Sequence, residues 1–202
     1  MFARCLRLAC AAALAASLCA AEPAPAPETQ PARGLYDGLL EAMKNGPALG
    51  YAGRIKLLDP EIRRDFNLPL MTRLVVGPTW RTLKPADQEG LVAAFSDYSI
   101  AVYAARFKSY GGEQFKVDPA PSPLGPGEAI VHTQLIPSGA DAVRLDYRVR
   151  LDGSAWRIID VYLSGSISEL AARRSEYSAI LRDSGAQGLI DLLKKKTADL
   201  AG

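Results

Sequence analysis

From Val143 to Leu151 apolar and charged residues alternate without a break. Val143, Leu145, Tyr147, Val149 and Leu151 share one parity; Arg144, Asp146, Arg148 and Arg150 share the other. A period of two predicts a strand with one buried face. Asp152-Gly153 follows as a turn signal, because Gly accepts positive φ and Asp can bond back to its own backbone. The next run, Trp156 to Leu163, is apolar on both parities: Trp156 and Ile158 on one, Ile159, Val161 and Leu163 on the other. Such a strand is expected to be central and covered on both sides, or to line a cavity. Ser166 and Glu169 then have the spacing of a capping box and predict a helix opening at Ile167.

The rest of the chain is read the same way. Apolar residues at 35, 36, 39, 40 and 43 predict a helix over Leu35–Asn45, stopped by Gly46-Pro47. A weaker helical pattern covers Ile55–Phe66, and a short apolar helix covers Leu70–Val76 before Gly77-Pro78. Pro85 and Asp87 suit the first turn of a long helix running to about Tyr110, where Gly111-Gly112 ends it. Its stripe is Leu91, Phe95, Tyr98, Val102 and Ala105, widened by Val92, Tyr103 and Phe107. Phe115–Ala120 and Ala129–Ile136 read as strands separated by a Pro/Gly loop. The helix from Ile167 is expected to end at Gly185, with a last one from Ala186 to about Leu200. Helices, then antiparallel strands, then helices make an α+β domain: a curved antiparallel sheet of about four strands wrapped by helices.

The N-terminus changes the picture. Arg4 and Arg7 precede an apolar run, Leu8–Ala20, that is shorter than the roughly 20 residues a membrane span needs. With small residues at Cys19, Ala20 and Ala21, residues 1–21 read as a secretory signal peptide. All three cysteines (Cys5, Cys10, Cys19) lie within it, so the mature chain would have no thiols. Without Arg4 and Arg7, the 24 basic residues become 22, matching 22 acidic ones. A neutral chain gives no reason to expect a nucleic-acid partner. Residues 22–33 are rich in Ala and Pro and read as an extended linker. Residues 34–202 form one domain.

Candidate chemistry is sparse. One His and no mature Cys argue against a metal centre, and no cofactor fingerprint is present. His132 is either a catalytic base or a strand His bonded to a neighbour. Asp160, in the most apolar strand, is either a general base in a pocket or a structural carboxylate bonded to an Arg, a Tyr or a backbone N–H. Tyr147 would be the donor in an enzyme reading. Apolar and aromatic surface is plentiful, and periodicity leaves open whether it closes as core or frames a cleft. The wall of such a cleft is expected to comprise Leu70, Leu74, Phe95, Tyr98, Val102, Val143, Leu145, Tyr147, Ile159, Val161 and Leu163, with Arg148 or Arg174 near a headgroup.

Several motifs carry a family resemblance. They are Gly77-x-x-Trp80-Arg81, Gln88, Ala94-Phe95 and Tyr103; Asp146-Tyr147-Arg148; Trp156-Arg157-x-x-Asp160-Val161; and Ile167-Ser168 with Arg174-Ser175-x-Tyr177. In order and spacing, from about Leu35 to Leu193, they resemble the MlaC-like (toluene-tolerance) family of periplasmic lipid-binding proteins. The run Gly165–Ala171, followed by Arg173-Arg174-Ser175-Glu176-Tyr177, is most similar to its hopanoid-associated HpnM branch. The resemblance implies an NTF2-like cone with an apolar pocket between sheet and helices. It also implies a periplasmic carrier of a hopanoid or a phospholipid, served by an inner- or outer-membrane lipid transport complex. It supplies no catalytic residues. Two other functions remain open: a small-molecule enzyme using Asp160 or His132, and an interaction module that holds no lipid.

Overall fold

The computed structural model describes residues 24–201; the signal-peptide reading of residues 1–21 falls outside them. Five helices and six strands follow one another: α1 Gln30–Lys44, α2 Gly46–Asp65, α3 Leu68–Val76, α4 Pro85–Arg106, then β1 Gln114–Val117, β2 Ser122–Gly125, β3 Glu128–Ile136, β4 Val143–Asp152, β5 Ala155–Leu163, β6 Ile167–Ser168, and finally α5 Glu169–Asp199. No helix among the described residues is long and apolar enough to cross a membrane.

Among the described residues that composition marks as an extended linker, those from Pro27 onward are folded. A 3₁₀ turn covers Pro27–Thr29, and α1 starts at Gln30. Thr29 is fully buried, its hydroxyl donating to the Ala26 carbonyl at 2.7 Å. Pro31 tolerates the first helical turn, and Ala32 continues the stripe of Leu35, Tyr36, Leu39, Ala42 and Met43. Asn45 alone separates α1 from α2, and Gly46, which opens α2, permits a close approach. A Cβ there would lie 2.0 Å from the Lys108 carbonyl oxygen, so only Gly fits. The buried Arg54 guanidinium spans the same junction, donating to the carbonyls of Ala104 (2.8 Å) and Gly46 (3.1 Å).

α4 stops at Arg106, four residues before the expected end. Phe107 leaves helical geometry and joins an aromatic row with Tyr103 and Phe115, at centroid distances of 5.9 and 6.1 Å. α5 bends at Gly185, whose φ of 67° divides it where the sequence places the break. Its cap differs from the expected Ser166 box. Ser168 is the N-cap, accepting from Ala171 N–H, while Ile167-Ser168 first pair with β5 as a short strand.

All pairings in the sheet are antiparallel, in the order β1-β3-β4-β5-β6, with β2 also bonded to β3. The four expected strands are present, and β2 and β6 add two short ones. Strand β4 behaves as its alternation predicts. Leu145, Tyr147 and Val149 are buried beside Thr133, Val131 and Ala129 of β3, and the charged parity faces the other way. Strand β5 explains its own double-sided apolarity through a bulge. Val149 pairs with Ile158 but Arg148 pairs with Asp160, so parity switches at Ile159. Leu163, Val161, Ile158 and Trp156 thereby share one face. α2, α3, α4 and α5 pack against one another, with α1, α2, α3 and α5 contacting β5.

Candidate functional site

Between the inner face of the sheet and the helices lies a cavity of about 280 Å³. Its floor is apolar: Ile62 and Phe66 from the end of α2, Leu68 and Met71 from α3, Phe95 from α4, Leu145 and Tyr147 from β4, and Leu170 from α5, all buried. Val102, Tyr103, Phe107, Leu135, Val143, Val161 and Leu163 extend the wall. Val143, 41% exposed, marks the solvent side. Burial pushes the Tyr147 phenol well above its ordinary pKa, and burial does the same to Tyr103, so both hydroxyls remain neutral.

The polar lining is confined to Ser99, Arg106, Glu169 and Arg173. Ser99 donates to the Phe95 carbonyl within its own helix at 2.8 Å. Glu169 and Arg173, one helical turn apart, approach to 3.6 Å. The Arg173 guanidinium also lies 5.1 Å from the centre of the Tyr98 ring. Burial works against its charge, but Tyr177, Tyr98 and Glu169 outweigh that and hold its pKa above the ordinary arginine value. Arg106 is exposed and forms no ion pair among the described residues. The two guanidinium groups outnumber the single carboxylate.

Of the eleven expected wall residues, seven line this cavity: Phe95, Val102, Val143, Leu145, Tyr147, Val161 and Leu163. Four do not. The β5 bulge takes Ile159 out of the inward row, although it is buried. Leu70 and Leu74 lie on the outer stripe of α3, and Leu74 is 41% exposed. The inner stripe is Leu68, Met71 and Val75. A charge between the two leucines, Arg73, was the signal that their face points outward. Tyr98 packs beneath Arg173 outside the cavity lining. The expected headgroup residues are also displaced. Arg148 is bonded to Glu128, and Arg174 packs over Gly77, while Arg106 and Arg173 line the cavity.

The candidate catalytic groups are not brought together. Asp160 is buried and accepts bonds from Val161 N–H (2.8 Å), Leu170 N–H (3.2 Å) and the Ser168 hydroxyl (2.6 Å), tying β5 to the start of α5. His132 lies on the opposite face of the sheet from Tyr147, paired with Asp146. Its Nε2 is 2.8 Å from Ser122 Oγ and its Nδ1 3.1 Å from Asp146 Oδ2. That order resembles a proton relay, but Arg144 occupies the same carboxylate and lies 3.3 Å from Nδ1. Both ring nitrogens of His132 are therefore already engaged by neighbouring side chains, and neither is offered to a substrate. The cluster braces three strands.

A curved antiparallel sheet roofed by helices, with a cavity between them lined mostly by apolar side chains, is the architecture of a binding protein for a hydrophobic guest. Residues 33–195 match the family described as MlaC protein, and the chain belongs to that family. The fold is also that of a solved phospholipid-binding protein from Ralstonia solanacearum in complex with a phospholipid. The two share 21% identity with a TM-score of 0.76, over 88% of this chain and all of that one.

Proposed function

We propose that this protein is a periplasmic lipid carrier that holds a hopanoid or phospholipid in the cavity and exchanges it with a membrane transport system. One observation carries the reading: a formed apolar cavity persists where the sheet and helices could have closed as core. A soluble carrier needs little more, since each buried methylene contributes about 0.8 kcal/mol. The two guanidinium groups in the lining, Arg106 and Arg173, support an anionic headgroup as their partner. Membership in a family of lipid-binding carriers supports the reading, as does the phospholipid held by the Ralstonia protein of the same fold. The Leu8–Ala20 run, read as part of a signal for export, supports the location.

Native mass spectrometry of protein purified from its own host, with lipid analysis of an organic extract, tests this. The expected result is a mass above that of the chain and one dominant lipid class in the extract. Bare chain mass with a lipid-free extract would overturn it. The identity of the extracted lipid separates a hopanoid from a phospholipid.

A further inference from the structure

α3 carries a second apolar surface that the cavity does not use. Helical spacing puts Leu70, Arg73, Leu74 and Gly77 on one outward stripe, opposite the buried Leu68, Met71 and Val75. Arg174 of α5 covers the end of that stripe: a Cβ on Gly77 would stand 2.9 Å from its Nη2. Beyond Gly77 the chain stays at the surface, with no buried residue in the 3₁₀ segment Gly77–Thr82. This segment adds the half-buried Trp80 and exposed Arg81, and Lys84 follows.

The charge along this stretch is one-sided. Between Asp65 and Asp87 there is no carboxylate in the sequence, while Arg73, Arg81 and Lys84 are present. None of these three, nor Arg174, makes an ion pair among the described residues. An exposed Leu74, the half-buried Leu70 and Trp80, and unpaired cations interleaved with them in sequence are the composition of a segment that settles at a membrane interface.

We propose that this face docks on an anionic lipid bilayer. Leu70 and Leu74 meet the boundary between headgroups and acyl chains, and Arg73, Arg81, Lys84 and Arg174 face lipid phosphates. An acidic protein would satisfy the cations but offers no hydrocarbon layer for the leucines. The inner stripe of the same helix, Leu68 and Met71, lines the cavity, so α3 carries both the outward stripe and part of the cavity floor. The proposal does not depend on which guest the cavity holds.

The test is co-sedimentation of the purified protein with vesicles of phosphatidylcholine alone, or with about one-third phosphatidylglycerol. Binding is expected to the anionic vesicles only, to weaken with added salt, and to shift tryptophan emission to the blue. Each surface cation contributes about fivefold to such binding. R73E/R174E should therefore lose about 20-fold or more, and R81E/K84E should lose similarly if the first pair folds poorly. Leu74→Asp should weaken binding even at low salt. Circular dichroism and extractable lipid should stay as in the parent protein, which separates this result from any loss of cargo. Equal binding to neutral and anionic vesicles would overturn the proposal. So would charge-reversed variants that bind like the parent, or capture by an acidic protein with no vesicle binding.

Discussion

Asp160 shows how a single residue in an apolar strand can be structural. A carboxylate there is costly unless its oxygens are satisfied, and three donors converge on it, two of them from the first turn of α5 or its cap. Asp160→Ala leaves Leu170 N–H buried without an acceptor and frees the Ser168 cap. The expected loss is about 2–4 kcal/mol in urea denaturation. A loss below about 0.5 kcal/mol would show that the carboxylate does not brace the junction. On the outer face of the sheet the carboxylates respond to acid. Burial acts to raise Asp146, but Arg144 and His132 prevail and hold it below its ordinary value. Glu128 is likewise lowered, because Arg148 and Arg150 outweigh its desolvation. In both, the unfolded chain takes up a proton first as pH falls. Their contribution is intact above their unfolded values, about 3.9 and 4.3, and is lost as pH drops through the folded ones. Asp65 runs the other way: burial overcomes Arg64 and raises it, so protonation relieves a cost. The stability gap between the parent protein and D146N should therefore narrow below about pH 4. A gap that is constant with pH would show that the ionised form is not favoured by folding.

At the scale of elements, α3 and β5 teach the same lesson about phase. α3 is so apolar that two stripes compete for the interior, and packing selects Leu68, Met71 and Val75 over Leu70 and Leu74. Two neighbouring substitutions separate them. Val75→Ala removes packing from a residue 1% exposed and should cost about 1–3 kcal/mol. Leu74→Ala should stay within about 0.5 kcal/mol. Equal costs from thermal or urea melts would contradict the orientation of the helix. In β5 a two-residue turn, Gly153-Ser154, joins Asp152 to Ala155. Without the bulge, that register would set Asp160 opposite Tyr147, on the cavity face. One extra residue, Ile159, sets it opposite Arg148 instead and returns Val161 and Leu163 to the cavity. A charge is thus kept out of the apolar chamber by a local irregularity of the strand.

For the molecule as a whole, the layers meet along the aromatic row but stay apart over the cavity. Tyr36 stacks on Phe115 at 4.2 Å and meets Tyr147 edge-on at 5.8 Å. The Tyr36 hydroxyl bonds to Thr133, which in turn donates to the Leu145 carbonyl. This fixes α1 against the sheet beside the cavity wall, so the space does not simply collapse. Filling it should exclude the guest without unfolding the protein. Val161→Phe is expected to lower bound lipid by about tenfold or more, since displacing even two methylenes removes about 1.6 kcal/mol of burial. Native mass spectrometry reads the occupancy and circular dichroism the fold. Unchanged occupancy would place the guest elsewhere.

Local pattern alone was enough for most elements. The alternation of β4, the turn at Gly153, the long helix after Pro85 and the break at Gly185 are all short-range facts, governed by backbone preference and the period of apolar positions. Five of the seven cavity residues, Phe95, Val102, Val143, Leu145 and Tyr147, were legible because β4 has only one apolar face and α4 one dominant stripe; Val161 and Leu163 come from a strand apolar on both parities. Contacts between distant segments decided the rest. The fold of Pro27–Arg33 depends on burial of Thr29 and Ala32, which no composition reveals. The early end of α4 depends on aromatic neighbours, and the presence of Arg106 and Arg173 in the cavity lining depends on where α4 ends and α5 begins relative to the sheet. Above all, whether apolar faces mesh or stand apart is fixed by the separation of packed layers, and that separation has no signature in the period of a sequence.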